Sequence, residues 1–367
     1  MQPIFQSTDH LSKQSQLKLL RIGLTMRQLA FSKLLLISFG LHASAISLFS
    51  YASETADQNG IIFSFPEQQV AKALLSRPDT YTTTASAFDR KVRMQVAQDP
   101  GTQSYLKFIA AQVLPWKESE RKTIQAAIDN LLPQLNALSI TLEDPVNLIH
   151  TTGKEESGAA YTRGNEIVFP KRELAGNPKS KTKLLAHELF HVISRQHPDL
   201  RDHLYELIGF EKSNPIQLPA SLSPLRITNP DAPVIEHVMQ LRLDSGDSVH
   251  IAPMLIAKSD YDEDGASSLF AYLTFKLMQV HQTPDGWVAK QKEGKPVFHS
   301  PKTLDFHRQI GKNTGYIIHP EEILADNFAL IMTNGKVTDT WLTEKMKSVI
   351  KTHFEHTDSV PAKNDNP

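Results

Sequence analysis

The 367-residue chain carries 39 Lys+Arg against 40 Asp+Glu, with 40% hydrophobic and 22% charged residues. That is a globular composition with core enough for one or two domains, and it carries neither the basic excess of a nucleic-acid binder nor an acidic tail. With no cysteine, the chain has no disulfides, no thiol nucleophile, no lipoprotein anchor and no Cys-ligated zinc, so a transition metal would have to be held by His, Asp and Glu.

In chain order, Lys13, Lys18, Arg21, Arg27 and Lys33 precede an apolar stretch from Leu34 to Phe49 and the small-residue sequence Ser50-Tyr51-Ala52. This is the pattern of a secretory signal over residues 1–52, and Met26 opens a more ordinary signal by itself. The stretch is short for a bilayer span, so a protein exported to the periplasm or the medium, without stable membrane insertion after cleavage, is the expectation. Residues 53–115 read as a mainly helical lead-in broken at Pro78 and Pro100-Gly101, either a prodomain or an added layer.

From Glu118 to about Leu138, Ile124, Ala127, Ile128, Leu131, Leu132 and Leu135 recur at helical spacing. Short β-type runs follow at Val146–Thr151 and Tyr161–Phe169, then a helix from about Ser180 to Gln196 between Pro178 and Pro198. His237–Leu243, Val249–Ile256 and Leu269–Val280 read as strands, with turns at Asp244-Ser245-Gly246 and Asp285-Gly286. A further helix begins at Pro320 and stops near Asn334-Gly335, and a last one spans about Asp339 to Phe354 before a polar tail at 357–367. The order predicts an α+β domain over residues 116–356, with a small mixed sheet, a β-rich insertion and C-terminal helices.

The chemistry concentrates in His187-Glu188-Leu189-Phe190-His191, an HExxH pattern. On a helix the two histidines stand one turn apart on one face and can meet one tetrahedral ion. Glu188 lies about 100° around the helix, free to serve as general base toward a metal-activated water. A catalytic zinc site takes a third protein ligand, and two candidates compete. Glu322 stands four residues before Asp326, so one carboxylate can bind metal while the other orients a ligand histidine. Glu321 fits less well, because Asp326 is then off its face. The second candidate is His197, which extends the motif to HExxHxxSxxH, but Ser194 stands where the required sharp turn wants glycine, so Glu322 is favoured.

HExxH followed by a distant ExxxD resembles the zincin metallopeptidases, and within them the gluzincin branch. The similarity covers roughly Lys117 to Asn334, with a longer β-rich stretch between the two motifs than in the best-known gluzincins. The resemblance implies a zincin-like fold, one catalytic Zn2+ on His187, His191 and Glu322, Glu188 as base, Asp326 as the outer carboxylate, and a peptide or protein substrate. An oxyanion donor is also expected, with Tyr316 and His319 as candidates; a helix-capping His319 is the plainer alternative. By analogy with zincins, substrate would add as a strand along an exposed edge at about Ala160–Phe169. Arg195, Arg201, His203 and Tyr205 read as surface. Asp260, Asp262 and Asp264 match the first half of a Ca2+ loop, but Ala271 stands where the bidentate Glu belongs, so an acidic turn is favoured. A zinc hydrolase of a non-peptide amide or ester and a non-catalytic zinc-containing binding protein are the rival functions; oligomeric state has no signature in the sequence.

Overall fold

The computed structural model describes residues 55–56, 60–266 and 268–357. The expected signal over 1–52 and nearly all of the polar tail lie outside the described residues. Strands β1 (Thr55–Ala56) and β2 (Ile62–Ser64) lead into helices α1 (Gln68–Leu75), α2 (Thr80–Thr84), α3 (Ala87–Met94) and α4 (Gly101–Ala111). The long helix α5 (Glu118–Ala137) precedes β3 (Val146–Thr151), β4 (Tyr161–Arg163), β5 (Glu166–Pro170), α6 (Pro178–Gln196) and α7 (Pro198–Glu206). Then come β6 (Phe210–Lys212), β7 (His237–Arg242), β8 (Ser248–Ala257), α8 (Leu269–Tyr272), β9 (Leu273–Thr283) and β10 (Gly286–Ala289). The pair β11 (Gln291–Lys292) and β12 (Lys295–Pro296), then β13 (Phe298–His299), precede α9 (Leu304–Ile310), α10 (Pro320–Met332) and α11 (Thr340–Thr357). The fold is α+β, and among the described residues no helix is long and apolar enough to cross a membrane.

Two sheets organise these elements. The first has the order β1-β2-β3-β5-β4, with β2, β3 and β5 parallel and β4 antiparallel on the edge. The second is antiparallel, β10-β9-β8-β7-β6 with β13 on β9, and it is the β-rich stretch between the two motif helices. The helical periodicity of α5 is used as expected: Ile124, Ala127, Ile128, Leu131 and Leu135 are all buried. They join Leu148 and Ile167 of the first sheet, Leu185 and Leu189 of α6, and Ile323 and Phe328 of α10 in one core. Apolar faces on three sides thus fix α6 between a sheet and two helices.

Several elements depart from expectation. The run Tyr161–Phe169 is a hairpin rather than one strand: Arg163 pairs with Glu166 across Gly164-Asn165, and Gly164 takes φ +55°. A two-residue turn with a glycine at positive φ matches strand twist, so it reverses the chain without a visible break in the apolar run. Ile167 is therefore in β5, inside the sheet, and the edge belongs to Tyr161–Arg163. The expected strand from Leu269 begins as helix α8, since Leu269 and Tyr272 are both buried, and extends only from Leu273. Pro178 is inside α6 at its first turn with Asn177 as cap, and Pro198 opens a new helix, α7, instead of a loop. The mainly helical lead-in also carries two short strands, β1 and β2. Its β2 pairs with β3, and Phe63 and Phe65 lie in the main core.

Candidate metal centre

Helices α6 and α10 pack face to face, and the site is built on their contact. Leu185, Ala186, Leu189, Phe190, Val192 and Ile193 bury most of α6, while Ile323, Leu324, Ala325, Phe328 and Ala329 bury α10. The small Ala325 permits the close approach. Four-residue spacings then aim His187 and His191 from one helix at Glu322 and Asp326 from the other. His187 Nε2 lies 3.1 Å and His191 Nε2 3.8 Å from Glu322 Oε2. Ligands at 2.0–2.1 Å from a tetrahedral ion stand about 3.4 Å apart, so these spacings suit one cation.

Each histidine is held from behind by its own carboxylate. Asp326 Oδ1 lies 3.1 Å from His187 Nδ1, and its other oxygen accepts from the Thr314 hydroxyl. Glu321 Oε1 lies 2.9 Å from His191 Nδ1 and accepts from the Ser194 hydroxyl at 2.5 Å, while Oε2 accepts from Tyr205 O–H at 2.5 Å. Such partners turn each imidazole so that Nε2 faces inward. The spacing to Asp326 hides Glu321, whose partner is His191 and not the second carboxylate. Adjacent residues on α10 point about 100° apart, and two histidines one turn apart can take one carboxylate each. Tyr205 is correspondingly a buried partner and not a surface residue.

Charge balance supports a cation here. Glu188, Glu321, Glu322, Asp326 and Asp231 all surround the two imidazoles, and the buried His191 Nε2 has no hydrogen-bond partner. An orphaned ring nitrogen in so acidic a pocket is the observation a metal would answer. Without an ion, protons take its place. Burial opposes the charged form of His187, yet its bonds to Asp326 and Glu322 raise its pKa well above the usual histidine value. Burial likewise works against ionised Glu322, but His191 and His187 hold it down at about 2. Asp231 is the exception: burial, with Glu188 and Glu322 close by, pushes it up to about 8 despite the attraction of His191.

Glu188 turns from the helix toward β4, where Thr162 Oγ1 donates to its Oε2 at 2.7 Å. The strand edge beside it is occupied by the chain itself. Thr162 N–H donates to Asp231 Oδ1 at 2.7 Å, and Thr162 C=O accepts from Arg195 Nη2 at 3.1 Å. Arg195 also bonds the carbonyls of Pro230 and Asp231, so it is a structural clamp rather than a surface residue. Asn229 Nδ2 donates to Glu322 Oε1 at 2.5 Å. The ligand-type atoms of Glu188, His191 and Asp231 form a second convergent group beside that of His187, His191 and Glu322. Thr162, Asn229 and Asp231 had no signal in the sequence, because each comes from a loop or edge without periodicity.

The remaining expected residues separate clearly. Tyr316 is 42% exposed and stacks on His187 with ring centroids 6.0 Å apart. Desolvation of its phenol, reinforced by Glu322 and Asp231, raises its pKa well above the usual tyrosine value, so the hydroxyl stays a donor. His319 is used otherwise: it caps α10, its Nδ1 accepting from Glu321 N–H, and its ring packs toward Tyr205. Burial lowers its pKa to about 3 and keeps it neutral. His197 points away from the site, with Nε2 3.3 Å from Thr141 C=O and its ring against His353 and Phe354. Ser194 continues α6 without the turn that a His197 ligand would need. Arg201 pairs with Asp202 and Glu236, and His203 is exposed. Asp260, Asp262 and Asp264 form an exposed turn in which Asp262 Oδ1 accepts from Asp264 N–H.

A family model described as the eCIS core domain matches residues 150–199, the stretch from the end of β3 through the β4–β5 hairpin and the HExxH helix. No curated protein and no solved structure matches the chain.

Proposed function

We propose that this chain is an exported zinc-dependent peptidase in which His187, His191 and Glu322 hold the metal, Glu188 is the general base and Tyr316 the oxyanion donor. The carrying observation is the orphaned Nε2 of His191, directed at Glu322 in a pocket of five carboxylates, with each ligand histidine backed by a carboxylate. The matched eCIS core domain, a metallopeptidase-like family, covers the HExxH half of that arrangement. His2Glu ligation favours zinc over harder cations.

When bound, the ion would act as a Lewis acid toward both the scissile carbonyl and the attacking water. The protein's residues do the rest. Thr162 holds Glu188 by its Oε2, which leaves Oε1 to take a proton from the attacking water and deliver it to the leaving amine. Tyr316, neutral and half-exposed beside His187, can donate to the developing oxyanion. Edge strand β4 would bind substrate through backbone hydrogen bonds, which tolerate many side chains, once Asp231 and Arg195 release the Thr162 N–H and C=O that they now fill.

Metal content of the purified chain tests the reading. Wild type and His197→Gln should each hold one zinc, and Glu322→Gln should lose it; Glu188→Gln should keep zinc and lose peptide hydrolysis. A wild type without metal would overturn the proposal.

A further inference from the structure

The stretch 226–236 has a second role that rests on the metal reading above. It lies between β6 and β7 without strand or helix, yet it is held at two points. On one side, α3 grips it: Ser86 Oγ donates to Arg226 C=O at 2.7 Å, and Asp89 accepts Thr228 N–H at 3.1 Å. Arg93 Nη2 donates to Thr228 C=O at 2.9 Å and is buried in a pair of ion pairs with Asp89 and Glu156. Phe88 and Val92 pack on Ile227 behind these bonds. On the other side, Arg195 bonds Pro230 and Asp231. Between the two grips, Asn229 reaches Glu322 and Asp231 reaches the centre.

Asp231 stands where Glu188 and His191 meet, the side on which a base would hold the attacking water. Its Oδ1 takes Thr162 N–H, and Arg195 takes Thr162 C=O, so both backbone groups that an added peptide strand would use at this residue are filled. An asparagine could accept the same N–H without adding a carboxylate beside Glu188 and Glu322. A carboxylate at this point is accommodated when a cation lies among the three. The unpartnered Nε2 of the fully buried His191 supplies the independent sign that an ion belongs there.

We infer that Asp231 is a further protein ligand of the bound cation and that Asn229–Asp231 closes the cleft in the resting chain. Peptide hydrolysis then requires this segment to be displaced. The occupant is internal, and the open coordination position appears only when Asp231 leaves.

Asp231→Asn in the full chain is the test, since Asn keeps the Thr162 bond, with Asp231→Ala as a second variant and circular dichroism to verify folding. Zinc affinity is measured by competition with a chromogenic chelator. Access to the ion is measured by titrating acetohydroxamic acid into the Co2+ form and following its visible absorption. Both variants should bind zinc at least tenfold more weakly than wild type. Their Co2+ forms should respond at a tenfold lower hydroxamate concentration; at saturating zinc Asp231→Ala, which also frees Thr162 N–H, should cleave a quenched peptide library at least tenfold faster than Asp231→Asn, which keeps that bond. Wild-type zinc affinity in both variants, with Glu322→Gln losing the metal, would overturn this inference and leave the proposed function standing. Weaker zinc binding in both variants with Asp231→Ala cleaving no faster than Asp231→Asn would overturn the closure. No zinc in wild type would sink the metal reading itself, and this inference with it.

Discussion

Glu321→Gln tests whether the carboxylate behind His191 does what its geometry implies. Glu321 is 2% exposed and accepts three hydrogen bonds, from His191, Ser194 and Tyr205. Burial works against its charge, but the bonds and the His191 proton outweigh that, and its pKa lies below the usual glutamate value. A glutamine of the same shape has one acceptor oxygen. It can keep the His191 and Ser194 bonds only by turning its NH2 toward Tyr205, whose hydroxyl must then rotate to accept. Each bond also falls from charge-assisted to neutral strength, a loss of about 1 kcal/mol apiece, so about 3 kcal/mol of metal-free stability should disappear. Metal affinity should drop about 10–100-fold, because the imidazole loses both its orientation and part of its basicity. Urea unfolding in chelator at pH 7 reads the first quantity, and zinc competition the second. Zinc affinity within twofold of wild type would refute the assignment, whatever happened to stability.

Two further outcomes follow from the same geometry. Tyr316→Phe should keep zinc and KM while lowering kcat about 100-fold, as loss of one oxyanion donor does; an unchanged kcat would reassign the tyrosine to packing on His187. Glu155 is fully buried beside Tyr161, with Oε2 unpartnered, and burial carries its pKa from 4.5 to about 7. Between those values the unfolded chain releases the proton while the native chain keeps it, so native stability falls as pH rises through this window and levels off above it. The deficit is about 3 kcal/mol. Glu155→Gln should therefore leave stability near wild type at pH 4 and raise it by up to that amount at pH 8, measured by urea midpoint; an equal effect at both pH values would refute the titration.

Spacing made half of this site legible. His187 with His191 and Glu322 with Asp326 are each one helical turn apart, so once two helices pack, the four side chains converge with little further information. Glu321 is hidden because its partner, His191, lies on another helix 130 residues away and shares no spacing with it. The β4–β5 hairpin had a signal, Gly164-Asn165, concealed inside an apolar run that reads as one strand. α8 is only four residues long, too short for a 3.6-residue period to show against the strand that follows. Asp231 left no trace at all. A proline-rich stretch has no period, and its contact with Thr162 spans 69 positions of chain.

Other long-range contacts give the lead-in a physical task that its sequence does not declare. Strand β2 is part of the first sheet, and α3 grips residues 226–228, so the lead-in is built into the sheet and into the loop that reaches the metal centre. The grip is strong where it is buried. Arg93 is 2% exposed between Asp89 and Glu156, and removing one partner of such a group typically costs 3–5 kcal/mol. A loop tied that firmly at Thr228 and by Arg195 at Pro230 and Asp231 has only Asn229 between its supports, too short a span to swing clear by itself. Displacing Asn229–Asp231 from the wild-type cleft therefore requires one of the two grips to be released. The Arg195 side is the easier one, because its bonds run to carbonyls at a partly solvated edge and no buried ion pair is broken.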